Sequence, residues 1–191
     1  MAIAERGDES RCEEKEKEIL AWTEVSLLIE SYNDIFSSFD PRPFSQRSLS
    51  VDFLEEAKRA TREIKPGVFE LRFLVPKAKR SIEKEIVIKK RLKEHFKKHH
   101  EMLNKEKRGI IHQGLFFVFF GFLFMVAAAY IIFFLGRNSF VKELMIVMLE
   151  PGGWFLFWEG LDLIIFKSKA VAPDLEFYRK MTKAEIIFSH Y

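Results

Sequence analysis

The feature that most constrains this chain is an apolar run from Leu115 to Leu135, which contains no charged residue. An α-helix rises about 1.5 Å per residue, so a run of this length covers the roughly 30 Å of hydrocarbon in a bilayer. The sequence therefore predicts a first transmembrane helix at 109–136.

A second apolar run follows at 144–166 and carries three acids, Glu150, Glu159 and Asp162. It is also long enough to cross a bilayer, and a short polar turn at 137–143 separates the two runs. The predicted architecture is an α+β membrane protein built on a two-helix transmembrane hairpin.

Charge and composition exclude several other classes of protein. The chain has 191 residues, and its 31 basic and 28 acidic residues leave a net charge of only +3, so we do not expect nucleic-acid binding. The single cysteine, Cys12, allows no internal disulfide, and no apolar signal-peptide core is expected at the N-terminus. No catalytic triad, phosphate-binding or dinucleotide-binding pattern is found, so we expect no enzyme activity, no cofactor and no metal.

The polar remainder is expected to form one small cytoplasmic domain of about three strands and two to three helices. Residues 1–20 are highly charged and predict a flexible tail. In 21–108, apolar residues recur with strand and helix periodicity between turn signals, which predicts a folded domain. The C-terminal segment 167–191 predicts a short helix and a last strand, which needs a partner among the earlier ones. The predicted strands are 21–30, 68–76 and 184–191.

A long basic helix is predicted to begin after Ser81. Because no proline lies between Ser81 and Leu135, this helix is expected to continue into the first span, and any break is expected at Gly109 or Gly114. Its predicted buried stripe comprises Ile82, Ile86, Leu92, Phe96 and Leu103.

The distribution of Lys and Arg predicts the orientation of the hairpin. Residues 77–108 contain 13 basic residues against five acids, whereas the turn holds only Arg137 and Lys142 as bases. The positive-inside rule then places both termini in the cytoplasm and the protein in the cell (inner) membrane as a multi-pass protein. The basic residues expected to contact lipid headgroups are Lys97, Lys98, Lys105, Lys107, Arg108, Lys167 and Lys169.

The second apolar run contains a proline and two glycines directly after an acid. Proline lacks a backbone donor and glycine loosens a helix, so Pro151, Gly152 and Gly153 predict that the helix kinks, widens or breaks directly after Glu150.

Near the cytoplasmic end of the same run, Glu159 and Asp162 lie one turn apart. In an antiparallel hairpin Asp162 reaches the depth of His112 and Gln113, which suggests a His112–Asp162 pair.

Two hypotheses of function remain open from the sequence. The first is an oligomeric structural, interaction or sensory scaffold, in which the intramembrane polar groups orient the hairpin or a homo-oligomer and an unidentified protein partner binds. The second is a small oligomeric ion channel or proton-coupled transport protein, in which Glu150, Glu159 and Asp162 line a path.

The order of several segments resembles an uncharacterised family of small prokaryotic two-span membrane proteins. The segments are DPRPF, FLEEAKRA, FELRFLVP, the helix IEKEI to LKEHFKKH, and GWFLFWEGLDL, and the resemblance covers 24–191. It implies the same architecture, a cytoplasmic strand–helix module before a two-span hairpin. The family has no assigned activity, so the resemblance implies no mechanism.

Overall fold

The computed structural model describes residues 24–64, 67, 69–135 and 139–191. The predicted tail at 1–20, the first residues of the predicted strands at 21–30 and 68–76, and the start of the predicted turn at 137–143 lie outside the described residues. The chain divides into two compact units, one containing the described residues up to 100 together with Glu176–Tyr191, and the other containing Glu101–Leu175.

The first unit contains a three-stranded parallel sheet. Its strands are β1 (Glu24–Leu28), β2 (Glu70–Val75) and β3 (Glu185–His190), in the order β1-β2-β3. The three predicted strands are therefore confirmed, with slightly shorter bounds, and the last strand returns to pair with β2. Parallel neighbours need crossover connections, and the helices between the strands supply them.

Strict alternation along β2 determines which face of the sheet is buried. Phe69, Leu71, Phe73 and Val75 are at most 2% exposed, and the residues between them are only partly buried. In the parallel register, Leu71 lies between Val25 of β1 and Ile186 of β3, and all three are buried. One face of the sheet thus contributes a row of apolar side chains to the core.

Four α-helices of ten residues or more occur in the described part of the chain, besides a single turn of α-helix at Ser168–Ala170. They are α1 (Val51–Ala60), α2 (Ile82–Tyr130), α3 (Phe140–Asp162) and α4 (Ala172–Lys183). Turns of π-helix at Ile131–Leu135 and Leu163–Lys167 extend α2 and α3, and 3-10 turns lie at Tyr32–Ile35 and Lys77–Lys79. The architecture is α+β, and α2 is a single element of 49 residues without a break at either predicted glycine.

The buried stripe of α2 differs from the prediction at its first turns. Ile82 and Ile86 are exposed by 73% and 64%, whereas Ile88, Leu92 and Phe96 are fully buried. The helix is rotated because Glu85 occupies the inward position one turn before Ile88, where a polar network satisfies its carboxylate. The core of the first unit also includes Phe53 and Ala57 of α1, and Phe177 and Met181 of α4.

One helix of the described chain, Ile82–Phe134, is long and apolar enough to cross a membrane, and only 11% of its most apolar stretch is buried. The described residues contain no second helix that meets this criterion. Glu150, Glu159 and Asp162 lower the hydropathy of α3, so the two-span prediction is not established by length and composition alone.

Candidate functional site

The second unit brings α2 and α3 into contact through glycines. A Cβ atom added at Gly121 would lie 2.6 Å from the Phe157 backbone nitrogen and 2.7 Å from the Gly153 carbonyl oxygen. A Cβ atom added at Gly160 would lie 2.7 Å from the Gly114 carbonyl oxygen. No larger side chain fits these positions unless a backbone moves, so the two helices depend on the glycines for their close approach.

These contacts follow a repeat that was overlooked in the sequence. Gly114, Gly121 and Ala128 are spaced by seven residues in α2, as Ile146, Gly153 and Gly160 are in α3. All six are buried. Seven residues correspond to about two helical turns, so each set lies on one side of its helix. We call the four glycines of this set the glycine seam: Gly114, Gly121, Gly153 and Gly160.

The predicted helix break at Pro151, Gly152 and Gly153 is wrong. The helix α3 is continuous from Phe140 to Asp162 with Pro151 inside it. Gly153 belongs to the glycine seam, and no side chain or remote backbone approaches the Cβ position of Gly152 within 4 Å. The glycine at 153 therefore allows close packing and does not interrupt the helix.

Two of the predicted acids share one cation at the end of α3. The Lys167 ammonium lies 3.2 Å from Glu159 Oε1 and 3.8 Å from Asp162 Oδ2. Lys167, which was expected to contact lipid headgroups, thus has two carboxylates as neighbours. Lys167 follows Asp162 by five residues and Glu159 by eight, and it ends the π-turn Leu163–Lys167 that separates it from both acids.

The predicted His112–Asp162 pair is not formed. His112 Nδ1 lies 2.8 Å from the Arg108 carbonyl oxygen of its own helix, and Asp162 faces Lys167. Gln113 is exposed. The expected depth of Asp162, level with His112, agrees with the structure, because Gly114 contacts Gly160. Depth alone does not determine on which side of its helix a residue lies, so the two side chains do not meet.

Glu150 stands apart from the other acids. It is exposed and lines an open groove of about 660 Å³ between α2 and α3. The remaining walls of this groove, the Glu150 groove, are apolar or aromatic and include Met125, Ile132, Val147, Pro151 and Trp154.

The other predicted headgroup residues lie on the helical surfaces. The side chain of Lys107 is partly buried, and the others are exposed: Lys97, Lys98, Lys105, Arg108 and Lys169.

The first unit contains a polar network that sequence reasoning missed. The Tyr32 hydroxyl donates to Glu85 Oε1 at 2.8 Å and accepts the Ser81 backbone N–H at 3.0 Å. Arg80 donates to both oxygens of Glu85 at 2.9 Å. This arginine lowers the pKa of Glu85, and burial raises the pKa of Tyr32. Every member has a partner, and these contacts fix the start of α2.

A histidine and tyrosine stack lies at the contact of α2 and α4. The rings of His95 and His99 are 3.9 Å apart, and His99 stacks on Tyr178 at 5.3 Å. His95 Nε2 is buried without a hydrogen-bond partner, and burial lowers the pKa of His95 to about 4. His99 Nδ1 lies 2.9 Å from the His95 carbonyl oxygen of the same helix. The described residues contain no group of three His, Cys, Asp or Glu side chains that could hold a metal ion.

No protein-family model, no curated protein and no solved structure matches the chain. The site must therefore be interpreted from its own chemistry.

Proposed function

We propose that this chain is a two-span inner-membrane protein with both termini in the cytoplasm, and that it serves as an oligomeric scaffold with an α/β unit outside the bilayer. The observation that carries the proposal is that the second unit has a glycine seam between its two helices and a large apolar surface exposed on its exterior. The expected partners are the lipid bilayer, further copies of the chain and an unidentified protein.

The apolar surface of the second unit favours lipid as its surroundings. Large apolar side chains are exposed on α2, on the π-turn that extends it and on α3, and examples are Phe116, Phe119, Phe122, Phe133, Trp154 and Phe155. A surface of this extent is rare on a soluble monomer. Lipid tails are as apolar as these side chains, so helices in a bilayer associate through small residues that permit close contact, as the glycine seam does.

The two acids at the end of α3 fit the scaffold better than an ion path. Glu159 and Asp162 share Lys167, which lessens the cost of placing charge near the bilayer and needs no permeating ion. The basic residues of α2 are expected to contact anionic headgroups on the cytoplasmic side.

Cysteine labelling tests the topology. In a background without Cys12, a single cysteine at Asn138, in the turn predicted from the sequence, should react with a membrane-impermeant maleimide applied to intact cells. A single cysteine at Lys183, near the end of α4, should react only after permeabilisation. Equal labelling of both positions in intact cells, or release of the protein by alkaline carbonate, would contradict the two-span proposal.

The exposed isoleucines at the start of α2 are the proposed contact between copies. Ile82 and Ile86 are one turn apart, and both are mostly exposed in the first unit. We expect the wild-type protein to form a stable oligomer in detergent and the double variant Ile82→Glu, Ile86→Glu to be a monomer, because charged side chains are depleted from interface cores. Mass measurement by light scattering gives the answer.

Lys84→Glu provides the matched control, since Lys84 is also an exposed position of α2 but lies on the opposite side of the helix from Ile82 and Ile86. This variant should keep the wild-type mass. A monodisperse wild-type monomer that captures no partner would overturn the scaffold proposal.

Glu150 alone supports the second candidate, an oligomeric ion or proton path. It is the acid of α3 that is exposed on an apolar groove, and a symmetric oligomer would turn it into a ring. Reconstituted oligomer would then pass cations across liposomes, and Glu150→Gln would reduce the flux. No flux from well-reconstituted protein would exclude this candidate.

A further inference from the structure

The Glu150 groove has the chemistry of a binding site for an organic cation. Its volume of about 660 Å³ lies in the range of small-molecule sites, about 300 to 1,000 Å³. Such sites are mostly apolar and have a few polar groups that orient the ligand. Here Glu150 is the charged wall residue.

The position of the groove makes an unpaired carboxylate costly. Met125, a wall residue, is near the middle of the uncharged run Leu115–Leu135, and its Cγ atom lies 3.0 Å from the Cβ position of Gly153, three residues after Glu150. With the hairpin in a bilayer, Glu150 is thus near mid-depth. A charged group there is costly to insert into the bilayer, and a cation at the carboxylate would offset part of this cost.

Pro151 adds a second acceptor next to Glu150. In a continuous helix the N–H of residue 151 would bond to the carbonyl oxygen of Val147, but proline has no N–H. Val147 and Pro151 both line the groove. A ligand with several N–H donors could satisfy both this carbonyl and the Glu150 carboxylate.

Trp154 supplies an aromatic wall on which a cation can bind. It lines the same groove one turn after Glu150. Indole is the aromatic side chain that attracts cations most strongly over its face. The other walls, such as Met125 and Ile132, are suited to a hydrocarbon body.

We propose that the Glu150 groove binds an amphiphilic organic cation, a protonated amine attached to an apolar body, with Glu150 as its counter-ion. The proposal rests on the membrane placement given above, because the bilayer would concentrate such a ligand and deliver it sideways into an open groove. Neither a phosphate nor a carboxylate ligand fits, since Glu150 would repel it.

Quenching of tryptophan fluorescence tests this site. In full-length protein with Trp22→Phe and Trp158→Phe, Trp154 is the only indole left. The probe is ω-bromododecylamine, whose bromine quenches indole on contact, and ω-bromododecanol is its neutral match. In nanodiscs we expect saturable quenching by the amine, at a concentration on the order of tenfold below that of the alcohol, because a charge-assisted contact is lost in the alcohol.

Substitutions identify the counter-ion. Glu150→Gln in the same background should raise the half-quenching concentration of the amine on the order of tenfold and leave that of the alcohol unchanged. Glu159→Gln is the matched control, since Glu159 pairs with Lys167, and it should bind as the parent does. Pro151→Ala restores an N–H for Val147 and should weaken amine binding less than Glu150→Gln.

Several outcomes would overturn the inference. One is equal half-quenching concentrations for amine and alcohol in the parent, a comparison made within one protein and therefore independent of whether Glu150→Gln folds. Another is an unchanged amine response in Glu150→Gln. Non-saturating amine quenching together with a changed particle mass in Glu150→Gln would assign the groove to a protein contact instead. Cysteine labelling decides the membrane placement independently, so failure of the topology and failure of the amine site are distinguishable.

Discussion

Gly121 of α2 and Gly153 of α3 face each other at backbone distance. A Cβ atom on Gly121 would lie 2.7 Å from the Gly153 carbonyl oxygen, and one on Gly153 would lie 2.9 Å from the Gly121 carbonyl oxygen. Both values are shorter than ordinary van der Waals separations, so the missing side chains permit this helix contact. Close Cα–H to carbonyl contacts of this kind recur at helix interfaces.

Replacing Gly121 with leucine should separate α2 from α3. Overpacking at a close contact typically costs about 1 to 3 kcal/mol, and here the opposing atoms belong to the backbone and cannot rotate away. We expect a lower midpoint of thermal unfolding in detergent, measured by circular dichroism.

Gly152→Leu is the matched control for this prediction. Gly152 is the neighbour of Gly153, but no remote atom lies within 4 Å of its Cβ position. The control should be neutral or stabilising by up to about 1 kcal/mol, since glycine is a poor helix former. Equal destabilisation by both substitutions would show that the glycine seam does not hold the hairpin.

Lys180 supports the end of α1 from a buried position. Its ammonium donates to the Thr61 carbonyl oxygen at 3.3 Å and pairs with Glu176 at 3.4 Å, and its side chain is 8% exposed. Lys180→Met keeps the apolar stem but leaves the carbonyl without this donor, so we expect a loss of about 1 to 3 kcal/mol. Chemical denaturation of the full chain would measure it.

Lys183→Met tests whether loss of any lysine from α4 has the same effect. Lys183 is exposed in the last turn of this helix. We expect a change within about 0.5 kcal/mol, as for most surface substitutions. A comparable loss at both positions would show that the hydrogen bond from Lys180 to the Thr61 carbonyl oxygen is not the cause.

Strand alternation and the position of the last strand were predictable because they depend on local pattern and on the need of each strand for a partner. The glycine seam was not predicted, since glycine was judged by its low helix propensity, whereas within apolar helices its small size favours contact. The stripe of α2 was predicted wrongly at its start because Glu85, as a charged residue, was expected to face solvent. Its partners could not be recognised from the helix sequence, since Tyr32 is distant in sequence and Arg80 precedes the helix.

The network around Glu85 should be measurable through Tyr32→Phe. The change removes the donor to Glu85 Oε1 and the acceptor for the Ser81 N–H, and it leaves the buried ring in place. We expect a loss of about 1 to 2 kcal/mol in the free energy of unfolding. Tyr191→Phe, at an exposed terminal tyrosine, should have no measurable effect; if Tyr32→Phe is equally silent, the network does not stabilise the first unit.

His95 predicts a specific dependence of stability on pH. Burial lowers its pKa in the folded state from 6.5 to about 4, and the charges of His99, Arg91 and Lys98 act in the same direction. Tyr178 of α4 covers the same ring pair. Between pH 4 and 6.5 the unfolded chain therefore binds more protons at this site than the folded chain, so stability falls as the pH is lowered through this window.

The size and the origin of this effect can be separated with His95→Leu. A tenfold difference in proton affinity corresponds to about 1.4 kcal/mol, so the full contribution approaches roughly 3 kcal/mol at pH 4. Denaturation of the full chain between pH 4 and 7 should show that the wild type loses more stability than His95→Leu. His100→Leu controls for loss of a histidine from the same helix and should retain the wild-type slope. Identical slopes in the wild type and His95→Leu would mean that His95 is protonated without penalty in the folded protein.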